Sequence, residues 1–193
     1  MRRSLRTFIA IEVSPEVATG ASELIQRLSP AAAPVNWVAP QNLHITLKFL
    51  GDLDMLDTID VCKAVNAAVA HLPPFDYQVS QAGAFPDVQR PRTIWLGIDA
   101  ADDALQHLHD AVDDALRSLG FRAAARRFQP HLTLGRVKGS DPASFTRLAD
   151  LLDENRDYFA GAGDVSEVVV FSSSLERHGP TYEELSRGEL GGR

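Results

Sequence analysis

Two short stretches, Leu43-His44-Ile45-Thr46-Leu47 and Pro130-His131-Leu132-Thr133-Leu134, share one pattern: histidine, an apolar residue, threonine, leucine. Each falls in a run whose length and apolar content predict a strand. Side chains alternate faces along a strand. His44 and Thr46 therefore share one face, and Leu43, Ile45 and Leu47 share the other. His131 and Thr133 share a face for the same reason, opposite Leu132 and Leu134. The apolar faces can pack on a core and leave a histidine and a threonine of each strand facing a cleft. One His-x-Thr says little, since a lone strand histidine is usually structural or merely exposed. Two copies related by an approximate two-fold would bring two imidazoles and two hydroxyls to one point.

Such a set suits phosphoryl chemistry. Histidine titrates near neutrality, so one imidazole can accept a proton while its partner donates one. Opening a cyclic phosphate with water needs both acts, a base for the water and an acid for the departing ribose oxygen. Threonine hydroxyls aimed at the non-bridging oxygens would donate hydrogen bonds without adding negative charge. A metal is the rival use of two histidines. Catalytic zinc takes three protein ligands and magnesium prefers carboxylates. Neither motif holds a cysteine or a carboxylate, and Asp52 lies beyond the following turn, so no metal site is expected.

The elements that must position these residues follow from patterning. Arg6–Val13 reads as a buried strand, and Ser14-Pro15 as the cap and first turn of a helix carrying Val17, Ala21, Leu24, Ile25 and Leu28. A loop or short strand around Trp37 leads into a strand at Leu43–Leu50, with a turn at Gly51-Asp52. Helices are expected from about Asp54 to His71, over Leu105, Leu108, Val112, Leu116 and Leu119, and from near Asp141-Pro142 through Leu152. Further strands are predicted at Phe75–Val79, Thr93–Ile98, His131–Val137, Val165–Phe171 and Tyr182–Leu185. The order lacks regular βαβ alternation and a glycine-rich nucleotide turn, which favours an α+β fold with largely antiparallel sheets. With no low-complexity linker, residues 1–186 are read as one domain and 187–193 as a loose tail.

Composition bounds the setting. The 193 residues are 45% hydrophobic, enough for a sizeable core, and no apolar run could span a bilayer. Arg2, Arg3 and Arg6 precede the apolar Phe8–Ile11, but Glu12 ends that run too early for an export signal. Cys62 is the only cysteine, which precludes an intrachain disulfide and suits a reducing, cytoplasmic location. A net charge of −7 argues against non-specific coating of nucleic acid. The charge is uneven, however. Between Ala115 and Ser140 lie Arg117, Arg122, Arg126, Arg127, Arg136 and Lys138 with no acidic residue. That distribution is compatible with a small anion or one end of a nucleic acid.

With these motifs in view the sequence resembles the two-histidine phosphoesterases, and within them the RNA 2′,3′-cyclic phosphodiesterases, also called 2′-5′ RNA ligases. The resemblance runs over nearly the whole chain. It is carried by Arg6-Thr7-Phe8-Ile9-Ala10-Ile11 and by Trp37-Val38-Ala39-Pro40-Gln41-Asn42-Leu43-His44-Ile45-Thr46-Leu47-Lys48-Phe49-Leu50-Gly51. Phe85-Pro86, Pro91-Arg92-Thr93-Ile94-Trp95-Leu96-Gly97, Phe128-Gln129-Pro130-His131-Leu132-Thr133-Leu134-Gly135-Arg136, Ser173-Ser174-Leu175 and Gly179-Pro180-Thr181-Tyr182 fit as well. It implies a bilobal α+β fold with two pseudo-symmetric lobes, each a mainly antiparallel sheet with flanking helices. One lobe is formed by both termini, the other by the middle of the chain, and a cleft lies between them. It implies metal-independent, cofactor-free hydrolysis of RNA ends or nucleotides bearing a 2′,3′-cyclic phosphate, yielding a 2′-phosphate. No membrane or obligate protein partner is implied. Reverse 2′-5′ joining would need no ATP, because the cyclic phosphate already stores the bond energy. By carry-over His44 is the proton donor to the leaving 3′ oxygen and His131 the acceptor. Thr46 and Thr133 hold the phosphate, and Arg136 adds a positive charge to it.

Arg136 is five residues beyond His131, so strict alternation points it to the wrong face. Its implied role requires a bend or bulge, for which Gly135 is the natural site. His71, His107, His109 and His178 are read as surface residues, Lys48 as a solvated strand end, and Trp37 and Trp95 as core.

Overall fold

The computed structural model describes residues 4–31, 33–123, 127–139, 142–176 and 179–192. Arg2, Arg3, Arg126, Asp141 and His178 lie outside them. In chain order the elements are β1 (Leu5–Glu12), α1 (Pro15–Leu28), β2 (Val35–Trp37), β3 (His44–Leu53) and α2 (Met55–Val69). There follow β4 (Phe75–Phe85), β5 (Thr93–Ala100), α3 (Ala104–Ser118) and β6 (His131–Val137), then α4 (Pro142–Glu154), β7 (Phe159–Val165), β8 (Glu167–Glu176) and β9 (Gly179–Glu189). The cap signals act as expected. Ser14 Oγ accepts from the Val17 amide at 3.2 Å ahead of Pro15, and Asp54 Oδ1 accepts from the Leu56 and Asp57 amides at 2.9 and 3.0 Å.

The strands form one antiparallel sheet in the order β7-β4-β5-β6-β3-β1-β8-β9, with β2 laid on β6. The fold is α+β with two related halves, as the resemblance implies. The terminal half is β3-β1-β8-β9 and the middle half is β6-β5-β4-β7, each running outward from its His-x-Thr strand. The halves are not separate sheets. They meet where β3 pairs β6 at Ile45 opposite Leu132, both fully buried. The first helix of each half crosses to the other: α1 packs on β7 and α4, and α3 packs on α2 and β3. This exchange gives one core, in which Ile9, Ile45, Ile94, Leu96 and Leu132 of the sheet meet Val17, Leu24, Val61, Leu108 and Leu116 of the helices.

Several boundaries differ from the sequence reading. The predicted turn at Gly51-Asp52 is strand: β3 continues to Leu53, with Gly51 at φ 78°. The strand read as Val165–Phe171 is two strands broken at Ser166, and β4 runs on to Phe85. Leu119 lies past the end of α3 and is exposed. The tail is docked, not loose. Arg187 and Gly188 pair within β9, Leu190 is buried, and the Leu190 and Gly192 amides donate to the Ser166 and Leu72 carbonyls at 2.8 and 2.9 Å.

Candidate active site

Each histidine opens its strand and is fixed by the backbone just before it. His44 Nδ1 lies 2.7 Å from the Asn42 carbonyl, and His131 Nδ1 lies 2.7 Å from the Gln129 carbonyl. A carbonyl oxygen can only accept, so Nδ1 carries a proton in both rings and Nε2 is left for proton transfer. Asn42 is itself tied down, its side-chain amide donating to the Pro180 carbonyl at 2.9 Å.

The surroundings of the two rings differ. His44 packs against Phe8 at 5.0 Å and edge-on against Tyr182 at 5.3 Å between centroids. His131 meets Phe85 edge-on at 5.2 Å. Burial pushes the His44 imidazole below its ordinary pKa of 6.5. The bond to Asn42 opposes that shift, and the positive charge of Arg136 adds to it. Burial also raises the Tyr182 phenol, which keeps its proton.

The Ile45–Leu132 pair acts as a local two-fold. Around it the antiparallel register carries His44 toward Thr133 and Thr46 toward His131, all four on the face away from the core. Both strands then make the same irregularity. In β6, Ile94 pairs Gly135 and Trp95 pairs Thr133, leaving Leu134 as an extra residue. In β3, Ile9 pairs Lys48 and Ala10 pairs Thr46, leaving Leu47 extra. The bulge inverts the alternation beyond it, so Arg136 returns to the face of Thr133 and Phe49 to the face of Thr46. Gly135 suits the bulged strand for reasons of space: a Cβ there would stand 2.6 Å from Val35 and 2.8 Å from Trp37 of the neighbouring strand β2, which pairs with β6.

Two cavities meet at this face. One of about 300 Å³ includes His44, Phe8 and Tyr182, and one of about 810 Å³ includes His131 and Phe85. Thr46, Phe49, Thr133 and Arg136 line both. All five residues singled out in the sequence thus border one cleft, with two hydroxyls and a guanidinium between two imidazoles. That arrangement can hold a phosphate with a proton donor on one side and a proton acceptor on the other. Among the described residues no three histidine, cysteine, aspartate or glutamate side chains come together as a metal ligand set.

Other assignments change. Lys48 is not a solvated strand end: past the bulge it turns to α3, pairs with the buried Asp113 and donates to the Arg122 carbonyl at 2.8 Å. His109 is only 6% exposed and stacks on Phe128 with centroids 4.2 Å apart. The signal was present, since residue 109 is four beyond Leu105 and three before Val112, on the apolar stripe. Trp37 and Trp95 both lie partly buried, Trp37 against the core and Trp95 against Phe85 at 5.0 Å. The aromatic wall of Phe8, Phe49 and Tyr182 had no signal of its own, because it depends on the register of β1, β3, β8 and β9.

Comparison with known proteins places the chain. Residues 14–176 match the family model of the 2′-5′ RNA ligase superfamily. The RNA 2′,3′-cyclic phosphodiesterase of Methanothermobacter thermautotrophicus is 33% identical over 181 residues, covering 94% of this chain and 96% of that protein. That of Thermotoga maritima is 34% identical over 181 residues, covering 94% and 93%. The crystal structure of TT0787 of Thermus thermophilus superposes with a TM-score of 0.82 at 23% identity, over 98% of this chain and 100% of that one. E. coli LigT complexed with 3′-AMP superposes at 0.74 and 23% identity, over 97% and 99%. A shared antiparallel architecture, two His-x-Thr strands facing one cleft, and relatives matched almost end to end agree: the chain belongs to the 2′-5′ RNA ligase superfamily.

Proposed function

We propose that this protein hydrolyses RNA 2′,3′-cyclic phosphate ends, as the names of its relatives indicate, and that it yields 2′-phosphates, with His44 as proton donor and His131 as proton acceptor. The observation that carries the reading is the shared wall of Thr46, Thr133 and Arg136 between two imidazoles whose Nδ1 protons are committed to carbonyls. A cyclic phosphate on that wall accepts hydrogen bonds from both threonines and a charge-assisted bond from Arg136. His131 Nε2 removes a proton from water as its oxygen attacks phosphorus. The bond to the 3′ oxygen breaks, and His44 Nε2 supplies that oxygen with a proton. The anion also prepares the donor. Its charge offsets that of Arg136, one of the influences holding the His44 pKa down, so His44 holds its proton more firmly once substrate is bound.

Among the described residues no helix is long and apolar enough to cross a membrane. The free Cys62 thiol supports a cytoplasmic location. The test is turnover of an oligoribonucleotide ending in a 2′,3′-cyclic phosphate, with excess chelator present. The expected product is the 2′-phosphate alone. A 3′-phosphate product, or activity that chelator abolishes and one divalent ion restores, would overturn the proposal.

A further inference from the structure

We infer that His109 is a positioning residue for the reaction: through its stack on Phe128 it sets the Gln129 carbonyl, and through that carbonyl the ring of His131. The inference rests on the role proposed above for His131, whose Nε2 can accept a proton only while Nδ1 carries one. That tautomer is held by the bond from His131 Nδ1 to the Gln129 carbonyl, 2.7 Å long. The carbonyl lies on a connection and not in a strand, since β6 opens only at His131. Among the described residues no backbone-to-backbone hydrogen bond ties residues 127–130 to another element, and Gln129 is exposed. Chain of that kind is free to turn unless side chains pin it.

The pin comes from α3. His109 is buried on the apolar face of that helix with Leu105, Leu108 and Val112. Its ring lies nearly parallel to that of Phe128, with an interplanar angle of 10° and centroids 4.2 Å apart, and the Phe128 backbone leads straight into Gln129. The imidazole plane is fixed in turn. Its bond to Asp110 holds that carboxyl below the usual carboxylate range, so Asp110 is ionised at neutral pH and can only accept. His109 Nδ1 donates to it at 3.0 Å, and Gln106 Nε2 donates to it at 2.8 Å. One turn further along the same buried face, Asp113 pairs with Lys48 of β3, four residues beyond His44. Successive turns of one helix thus hold both catalytic strands: Asp113 holds β3, and His109 holds the approach to β6. His109, Phe128 and Gln129 line the same cavity as His131, so this brace stands beside the site. A leucine at residue 109 would fill the space but would present no flat face to Phe128.

The test combines turnover with the protonation of one ring. In protein carrying isotope-labelled histidine, the ring-nitrogen signals of His131 are assigned by their loss in His131→Ala, and they report which nitrogen bears the proton. The parent should show the Nδ1-protonated form at a pH where the ring is neutral. His109→Ala should move His131 toward the Nε2-protonated form and lower kcat by about 10²-fold, the scale of a displacement of about 1 Å at a reacting group, with KM near the parent value. His109→Phe keeps the flat face, so it should keep the tautomer and most of the turnover. Phe128→Ala removes the other half of the stack from a segment outside the helices and strands, where the fold should survive the change, and should match His109→Ala. The double variant should lose no more than either single one, as residues acting through one contact do. Equal losses in His109→Phe and His109→Ala would show a ring nitrogen of His109 acting on the substrate, and would overturn the inference. So would a His131 tautomer unchanged in both His109→Ala and Phe128→Ala, or a parent-like kcat in both. The tautomer is read without substrate, so a parent that hydrolyses no cyclic end fails at the proposed function while the brace is still tested.

Discussion

The strands β3 and β6 begin alike and end differently. Both start with His-x-Thr-Leu, both tether Nδ1 to a carbonyl two residues back, and both bulge at the leucine. Past the bulge β3 continues Lys48-Phe49 and β6 continues Gly135-Arg136. On the face toward the core, Lys48 reaches to Asp113, while Gly135 lets β2 lie close. On the cleft face, Phe49 is 61% exposed and joins the aromatic wall at Phe8 with centroids 5.8 Å apart, while Arg136 brings a charge. The half that carries His44 is therefore apolar and enclosing, and the half that carries His131 is open. Identical environments would give two histidines one common affinity for protons. Acid–base chemistry needs one imidazole to give a proton while the other takes one, and here the two rings stand in unlike surroundings. Internal symmetry supplies the pair, and the residues after the bulge make it asymmetric.

The comparison breaks first at the histidines. His44→Ala and His131→Ala should each lower turnover of a cyclic-phosphate oligonucleotide by about 10⁴-fold, the upper range for a positioned acid or base. Both rings face the cleft, so circular dichroism and the unfolding midpoint should stay near the parent. One variant retaining parent-like turnover would show the pairing to be incidental. The threonines should matter less and more equally. Thr46→Ala and Thr133→Ala each remove one donor from the shared wall, for an expected loss of about 10²–10³-fold in kcat. A large loss in one and none in the other would move the phosphate toward a single strand.

The residues beyond the bulges should affect stability before rate. Gly135→Ala places a methyl against Val35 and Trp37, and overpacking of that kind costs about 1–3 kcal/mol. Lys48→Met leaves the buried Asp113, among the described residues, with the more distant Arg117 guanidinium 3.6 Å away, for an expected cost of about 1–3 kcal/mol. Denaturant midpoints measure both. Unchanged midpoints would mean the two sites relax more freely than their packing implies.

The smallest effect concerns pH. As the proposed donor His44 must carry a proton to act, and burial and Arg136 lower its pKa in the free protein. The loss of kcat/KM with rising pH should therefore begin below the ordinary 6.5. Bound phosphate offsets Arg136 and raises the His44 pKa, so the corresponding limb of kcat should lie at higher pH. A kcat limb at or below that of kcat/KM would count against His44 as the donor.

Much of this was legible in the sequence because the signals are local. The paired motifs, the caps at Ser14 and Asp54, and the apolar stripes all report on residues a few positions apart. The bulge was half legible: the parity of Arg136 demanded one, but its twin at Leu47 had no such marker, and Lys48 was misplaced as a result. β7 was hidden by composition. Ala160, Gly161 and Gly163 do not read as a strand, yet a Cβ at Gly163 would stand 2.8 Å from the Tyr77 hydroxyl, and one at Gly20 of α1 would stand 2.0 Å from the Ala160 carbonyl. Those glycines let α1 settle on the far half, a long-range requirement that single-sequence patterning does not carry. The tail was misread for the same reason, since its partners Ser166 and Leu72 are distant in sequence.

The division of labour between the two strands can be tested with a substrate whose 3′ bridging oxygen is replaced by sulfur. A thiolate leaves without a proton, so this substrate needs no acid at the 3′ position but still needs a base for the attacking water. Rates on the oxygen and sulfur substrates would be compared for the parent, His44→Ala and His131→Ala. The account predicts that sulfur restores most of the activity lost in His44→Ala and little of that lost in His131→Ala. Selective rescue of His131→Ala would reverse the roles of the two halves, and equal rescue of both would contradict a fixed donor and acceptor.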